Sequence, residues 1–192
     1  MEQKARKVFG ECYEPDMTYP YNYMLDTTAI NKLVERPQDI IVLEKASEVL
    51  GYEYFRCRVQ DDEIEGRKSD GNHHDTFSKL SIKSKQMKSV VQRLSIRKIP
   101  CLAQFVEQGI SQRDIGYLKN SGGKFYDVFR KVFDENIDNL EDAIIVESGI
   151  RYNCMIISND RKMCENTVKV FPGNAMWYRK FIEDTQKKID AK

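Results

Sequence analysis

Tyr21-Asn22-Tyr23-Met24-Leu25-Asp26-Thr27-Thr28-Ala29-Ile30 is the stretch on which the fold turns. Its first five residues are mostly aromatic and apolar, a content and length that predict a strand, and the run ends at an acid. A helix is expected from Ala29 to about Glu35, stopping near Pro37. Further along, Ile40, Ile41, Leu43, Ala46, Val49 and Leu50 recur at helical spacing, with Gly51 as a C-cap. Tyr52 to Val59 reads as the next strand, its alternation setting Arg56 and Arg58 on one face. Gln60 to Gly66 reads as a helix start, and Phe77, Leu80, Met87, Val90, Val91 and Leu94 mark an amphipathic helix. Residues 99–109 and 123–133 look like further helices.

Asp138-Asn139-Leu140-Glu141 resembles a capping box opening a helix that runs to about Arg151. Asn153 to Ser158 reads as a short buried strand, and Val168 to Phe171 as a fourth, stopped by Pro172-Gly173. Ala175 to Ile189 reads as a terminal helix with Trp177, Phe181 and Ile182 on its apolar side. Strands alternating with helices predict an α/β fold with a mainly parallel sheet.

The 192 residues suit one domain, and 41% hydrophobic with 32% charged content excludes fibrous and broadly disordered classes. No apolar run approaches the roughly 20 residues of a membrane span, and the first residues lack the apolar region of a secretory signal. A soluble, intracellular, cytoplasmic protein is expected. The five cysteines, Cys12, Cys57, Cys101, Cys154 and Cys164, are widely spaced with no CxxC, which argues against a zinc site or a disulfide framework. Cys57 and Cys154 read as small core residues; Cys101, after Pro100, is a weak candidate for reactivity.

The net charge of +1 conceals a split. Residues 67–98 hold nine Lys/Arg against two Asp, a local +7, which leaves −6 on the rest of the chain. A basic segment on an acidic body points to an anionic partner, or else to a solvated helix face. His73 and His74 sit in a Gly-Asn-His-His-Asp turn and read as an exposed loop pair before a metal or phosphate contact.

Ligands of open α/β sheets bind outside the carboxyl ends of the strands, so acids there carry weight. Asp26 closes the first strand. Glu63 falls four residues after Val59, in the expected first turn of the following helix, and Asp160 two residues after Ser158. Asp142 lies in the first turn of the helix before the Cys154–Ser158 strand. Gathered together, such carboxylates repel one another unless a cation compensates. A hard divalent ion does so, and it also serves phosphodiester hydrolysis. Taken singly, each acid also reads as a cap or a surface group; Glu63, for example, can complete a capping box.

Four stretches in order resemble the PIN-domain nuclease family, which includes the VapC-type toxins. They are Tyr23-Met24-Leu25-Asp26-Thr27-Thr28-Ala29-Ile30, Val59-Gln60-Asp61-Asp62-Glu63-Ile64, Leu140-Glu141-Asp142-Ala143-Ile144-Ile145 and Met155-Ile156-Ile157-Ser158-Asn159-Asp160. The resemblance covers about residues 20–66 and 124–171. It implies a single PIN-like domain over 1–192, a three-layer α/β/α fold with a mainly parallel sheet. Residues 67–123 would be an enlarged helical insertion and 174–190 a C-terminal helix. Two departures stand out: Gln60 replaces the family's usual Thr or Ser, and Asp62 competes with Glu63 as the second-motif acid.

The same resemblance implies that Asp26, Glu63, Asp142 and Asp160 are catalytic and hold Mg²⁺ or Mn²⁺. Asp26 would be the central ligand, and Glu63 would ligate through water or orient the attacking hydroxide. Thr27, Thr28, Ser158 and Asn159 would fix the carboxylates. The implied activity is metal-dependent cleavage of single-stranded or looped RNA. Lys79, Lys83, Lys85, Lys88, Arg93 and Arg97 would then neutralise RNA phosphates beside an acidic site. An antitoxin or other protein partner and a homodimer are further expectations. The alternative is a PIN-like scaffold that binds RNA or protein without cutting. An aspartate-nucleophile phosphatase is set aside because it needs an Asp where Thr28 stands, and no convincing residue set for a response-regulator receiver is present.

Overall fold

The computed structural model describes residues 21–65, 77–99 and 140–192. Within them five strands form one all-parallel sheet: β1 Asn22–Leu25, β2 Glu53–Arg56, β3 Arg97–Lys98, β4 Met155–Ser158 and β5 Ala175–Trp177. Their order across the sheet is β3-β2-β1-β4-β5. Seven helices are present among the described residues: α1 Thr27–Glu35, α2 Pro37–Leu50, α3 Arg58–Ile64, α4 Phe77–Arg93, α5 Leu140–Arg151, α6 Arg161–Val170 and α7 Tyr178–Asp190.

The apolar strands alternate between two cores. Tyr23, Leu25, Tyr54 and Ile157 face one side with Ile30, Leu33, Leu43, Val90 and Phe181 from α1, α2, α4 and α7. Met24, Phe55 and Ile156 face the other with Ile144 and Ile145 from α5 and Met163 from α6. A parallel sheet covered on both faces needs strands apolar on both sides, and Tyr-Met-Leu and Met-Ile-Ile meet that need. The result is a three-layer α/β/α fold. Each fully buried isoleucine contributes about 1.5–3 kcal/mol, so Ile156 and Ile157, both at 0% exposure, anchor the central strand pair.

Local signals explain where the elements begin. α1 starts at Thr27, two residues before the expected Ala29, because the Asp26 side chain accepts from Thr28 N and caps the helix. Pro37 opens α2 at its first turn, where a missing N–H is harmless. Gly51 closes it at φ 73°, a left-handed conformation natural to glycine.

Several boundaries differ from the sequence expectation. β2 stops at Arg56, and α3 already begins at Arg58, so Arg56 and Arg58 do not share a strand face. The cause is Gln60, whose Oε1 accepts from Cys57 N at 2.9 Å and turns the chain into a helix there. Val168 to Phe171 is no strand; it ends α6. Asp160 caps that helix, and Met163, Cys164 and Thr167 are buried at helical spacing, which outweighs the local β-branched alternation. The strand forms instead at Ala175–Trp177, at the head of the expected terminal helix, and α7 starts only at Tyr178. Trp177 is therefore a half-buried strand-end residue and not part of that helix's apolar side.

Residues 77–99, expected inside an insertion, belong to the sheet and its core. Met87, Val90 and Leu94 are buried against α1 and α2 residues, and β3 pairs with β2. Ile99, the expected start of the 99–109 helix, is not helical and instead extends the pairing with β2, its N–H donating to Arg56 O at 2.9 Å. The rest of that helix, the one expected at 123–133, and Asp138, His73, His74, Cys12 and Cys101 lie outside the described residues. Cys57, Cys154 and Cys164 are buried free thiols. Burial pushes Cys154 up to about 12 and Cys164 up to about 11, which keeps both unreactive at neutral pH. No helix among the described residues is long and apolar enough to cross a membrane.

Candidate active site

From β1 the sheet grows toward β2 and β3 on one side and toward β4 and β5 on the other. The order reverses between β1 and β4, and the crevice outside their carboxyl ends is where such sheets bind ligands. Asp26 ends β1 and the Ser158-Asn159-Asp160 turn ends β4, so the topology brings the first and last sequence motifs together.

Asp26 is 1% exposed. Its Oδ2 accepts from Thr28 Oγ1 at 2.5 Å, from Ser158 Oγ at 2.8 Å and from Thr28 N at 3.2 Å. The two hydroxyls in turn accept backbone N–H groups. Thr28 Oγ1 takes Asn159 N at 3.0 Å, and Ser158 Oγ takes Asp160 N at 2.9 Å. Each hydroxyl has a single proton and gives it to Asp26, an arrangement built to receive a carboxylate. Asp160 caps α6, its Oδ1 accepting from Met163 N at 3.0 Å. Thr28, Ser158 and Asn159 thus hold Asp26 and the β4 turn as one unit, and Asn159 does so through its backbone.

Two further ties close the β2 side. Gln60 is fully buried and bridges strand ends, accepting from Cys57 N and donating through Nε2 to Leu25 O. Thr27 Oγ1 donates to Glu63 Oε2. Glu63 lies in the last turn of α3, not the first, because the helix starts at Arg58. Glu63 is the acid of its motif turned toward Asp26; Asp62 lines a cleft on the outer side of α3. Asp142 lies in the first turn of α5.

The electrostatics join the four acids. Burial raises the Asp26 carboxyl above its usual range against the pull of the Thr28 and Ser158 hydroxyls. Glu63 is raised well above its ordinary value, first by burial and next by the charge of Asp26, with Thr27 opposing and Glu141 and Asp142 adding to the rise. Asp142 is pushed up to about 7 by burial, then by Asp26, Asp160 and Glu141. No described lysine or arginine stands among the leading influences on these three groups. The N-termini of α1 and α6 supply part of the compensation, since helix starts favour negative charge. Among the described residues no three His, Cys, Asp or Glu side chains close into a ready chelating group.

The basic residues divide. Arg93 makes a two-point pair with Glu44 of α2 at 2.8 and 3.0 Å, and Arg97 pairs with Glu53, the first residue of β2, at 2.9 Å. Arg97 thus points toward the edge opposite Asp26. Lys88 pairs with Glu65 at 2.9 Å. Lys83 and Lys85 are exposed on α4, and Lys79 lies on its first turn. The local charge split is therefore partly neutralised within the molecule.

Sequence reading missed Gln60 as the bridge between β1 and β2, and Glu141 as a further negative neighbour. A Gln three residues after Cys57, the N-cap of α3, is the capping-box spacing that could have flagged the first. It also missed a cleft of about 570 Å³ beside α3, lined by Arg56, Arg58, Lys88 and Lys98 together with acids. Lys98 and Arg56 both pair with Asp61 there, at 2.7 Å each.

No family model, curated protein or solved structure matches the chain. The functional reading rests on the geometry of the site.

Proposed function

We propose that the protein is a Mg²⁺- or Mn²⁺-dependent endoribonuclease of PIN-like architecture, with Asp26, Glu63, Asp142 and Asp160 as its carboxylates. The observation that supports this best is the set of mutually repelling acids around buried Asp26 at the switch point. Asp26, Glu63 and Asp142 all have raised carboxyls, and no described cation leads in offsetting them. Keeping several carboxylates in one low-dielectric place is costly unless a positive partner joins them.

The donors are all hard oxygens, which suit Mg²⁺ or Mn²⁺ and not a thiolate-seeking metal. Mg²⁺ keeps several of its waters and uses one or two carboxylates, so a closed three-ligand group is not a requirement for holding it. Asp26 would be the principal holder, with Asp142, Asp160 and Glu63 assisting directly or through water. A bound ion of this kind neutralises phosphoryl charge and acidifies a water.

The chain's own residues do the rest. Thr28 and Ser158 lock Asp26 in one orientation, which removes reorganisation during the reaction. Thr27 orients Glu63, whose raised proton affinity suits it to receive a proton from an attacking water. Lys83 and Lys85 of α4 are exposed and have no acidic partner within ion-pair distance among the described residues; with Lys79 of the same helix they would meet flanking phosphates.

A second reading, a PIN-like scaffold that binds RNA without cutting, draws on the lack of a closed three-ligand set among the described residues. A paired cleavage assay separates the two. The parent and Asp26→Asn are incubated with a pool of structured RNAs in Mg²⁺, Mn²⁺ or EDTA. Cutting by the parent alone, and only with metal, is the expected result; cutting by both proteins refutes the site, and cutting by neither favours the scaffold.

A further inference from the structure

Trp177 is the only tryptophan of the chain. It ends β5, where it lies opposite Ser158 in the parallel register. Leu25 lies opposite Ile157 on the other side of β4, and Asp26 N bonds Ile157 O at 2.9 Å. Asp26, Ser158 and Trp177 therefore stand in one row across three neighbouring strands at the carboxyl edge. Strand spacing sets the Trp177 and Asp26 backbones about 10 Å apart.

The pleat gives Trp177 the same face as Ser158. Ala175 and Ile156 pack into one core, while Met176 and Ile157 pack into the other. The face of Trp177 is thus that of α5 and α6, the helices that carry Asp142 and follow Asp160. The indole stays half-buried, with the exposed Arg161 guanidinium 4.5 Å over its ring. Arg161 directly follows Asp160. A guanidinium stacked on a half-buried indole is thus left at the surface one strand from the group that fixes Asp26.

We propose that Trp177 and Arg161 form a base-stacking subsite for an unpaired nucleotide next to the phosphodiester held at Asp26. The base stacks on the indole–guanidinium pair, and the Arg161 charge meets the adjoining phosphate. Base stacking on aromatic rings is tolerant of sequence and requires a base free of a duplex. The substrate class is then single-stranded RNA, and paired RNA is disfavoured at this position. This inference rests on the nuclease reading of the same site.

Because Trp177 is the sole tryptophan, its emission reports this subsite alone. The parent protein in EDTA is titrated with a short single-stranded RNA, the same strand carrying abasic nucleotides, and the matching duplex. Binding is followed separately by anisotropy of a label on the RNA. The expected result is saturable quenching by the intact strand and little by the abasic strand or the duplex. Trp177→Ala should bind the intact strand roughly 5- to 150-fold more weakly, the ratio for 1–3 kcal/mol of stacking, and Trp177→Phe should recover most of it. Binding without quenching, or equal affinity of parent and Trp177→Ala while metal-dependent cleavage persists, overturns the subsite and leaves the nuclease reading standing. Neither binding nor cleavage by the parent overturns both.

Discussion

Asp142→Asn is expected to make the metal-free protein more stable at mildly alkaline pH. The Asp142 carboxyl is held up to about 7 against an ordinary 3.8, by burial and then by the charges of Asp26, Asp160 and Glu141. In the pH window between those values the folded state binds the proton more readily than the unfolded chain. Stability therefore falls as pH rises through that window, and the loss is complete above about 7. At 1.36 kcal/mol per pH unit the upper bound is roughly 4 kcal/mol. Partial solvent access and dielectric screening reduce this to about 1–2 kcal/mol. For a chain of this size each kcal/mol moves Tm by about 2–4 °C, so the gain at pH 8 is roughly 2–8 °C. The assay is thermal unfolding by circular dichroism of parent and variant from pH 4 to pH 8, in EDTA and in Mg²⁺. The parent should lose stability toward pH 8 and regain part of it with Mg²⁺, since a ligand of the native state raises Tm. The variant should show a flatter pH profile and a smaller Mg²⁺ response. Equal Tm values at pH 8 with parallel pH profiles would refute the placement of Asp142 among the other acids.

Other consequences are as direct. Gln60→Ala leaves Cys57 N and Leu25 O buried without their partner, and about 2–4 kcal/mol of stability should be lost; a urea midpoint equal to the parent's would contradict the bridging role. Gly149→Ala sets a Cβ 2.3 Å from Ile156 Cδ1 and 3.2 Å from Met24 Cβ. Ile156 can shift its terminal methyl but Met24 Cβ cannot move freely, so about 1–3 kcal/mol of overpacking is expected in denaturant melts. Replacing Lys79, Lys83 and Lys85 together by Ala should weaken RNA binding and flatten its dependence on salt. An unchanged slope of affinity against salt concentration would assign that helix face to solvent.

The alternation of strands and helices was legible because each signal is local. The Tyr23–Leu25 and Met155–Ser158 runs, the 3.6-residue pattern of α2 and the Gly51 cap all act within a few residues. Two elements were misread for a reason of the same kind. Val168-Lys169-Val170-Phe171 has the look of a strand over four residues, but α6 is decided by its cap at Asp160 and by the burial of Met163, Cys164 and Thr167 beneath it. Ala175–Trp177 looks like a helix start, yet it lies beside β4, whose open edge offers unpaired backbone groups to any nearby segment. Gln60 read as a departure from the family pattern because its role depends on Leu25 O, 35 residues away.

What the sequence by itself determined is the class: an α/β chain with acids at the ends of its strands, since apolar period and acid position are properties of neighbouring residues. Which acids meet was decided by tertiary structure alone. The reversal of strand order between β1 and β4 sets Asp26 beside Ser158. The helical phase of α3 turns Glu63 inward and Asp62 outward, and burial then raises the carboxyls. The fate of the basic segment was settled the same way, because Arg93 finds Glu44 only once α4 packs near α2, and Arg97 finds Glu53 only once β3 pairs with β2. Charge pairing and pKa depend on distances across the fold, and linear spacing carries no record of those distances.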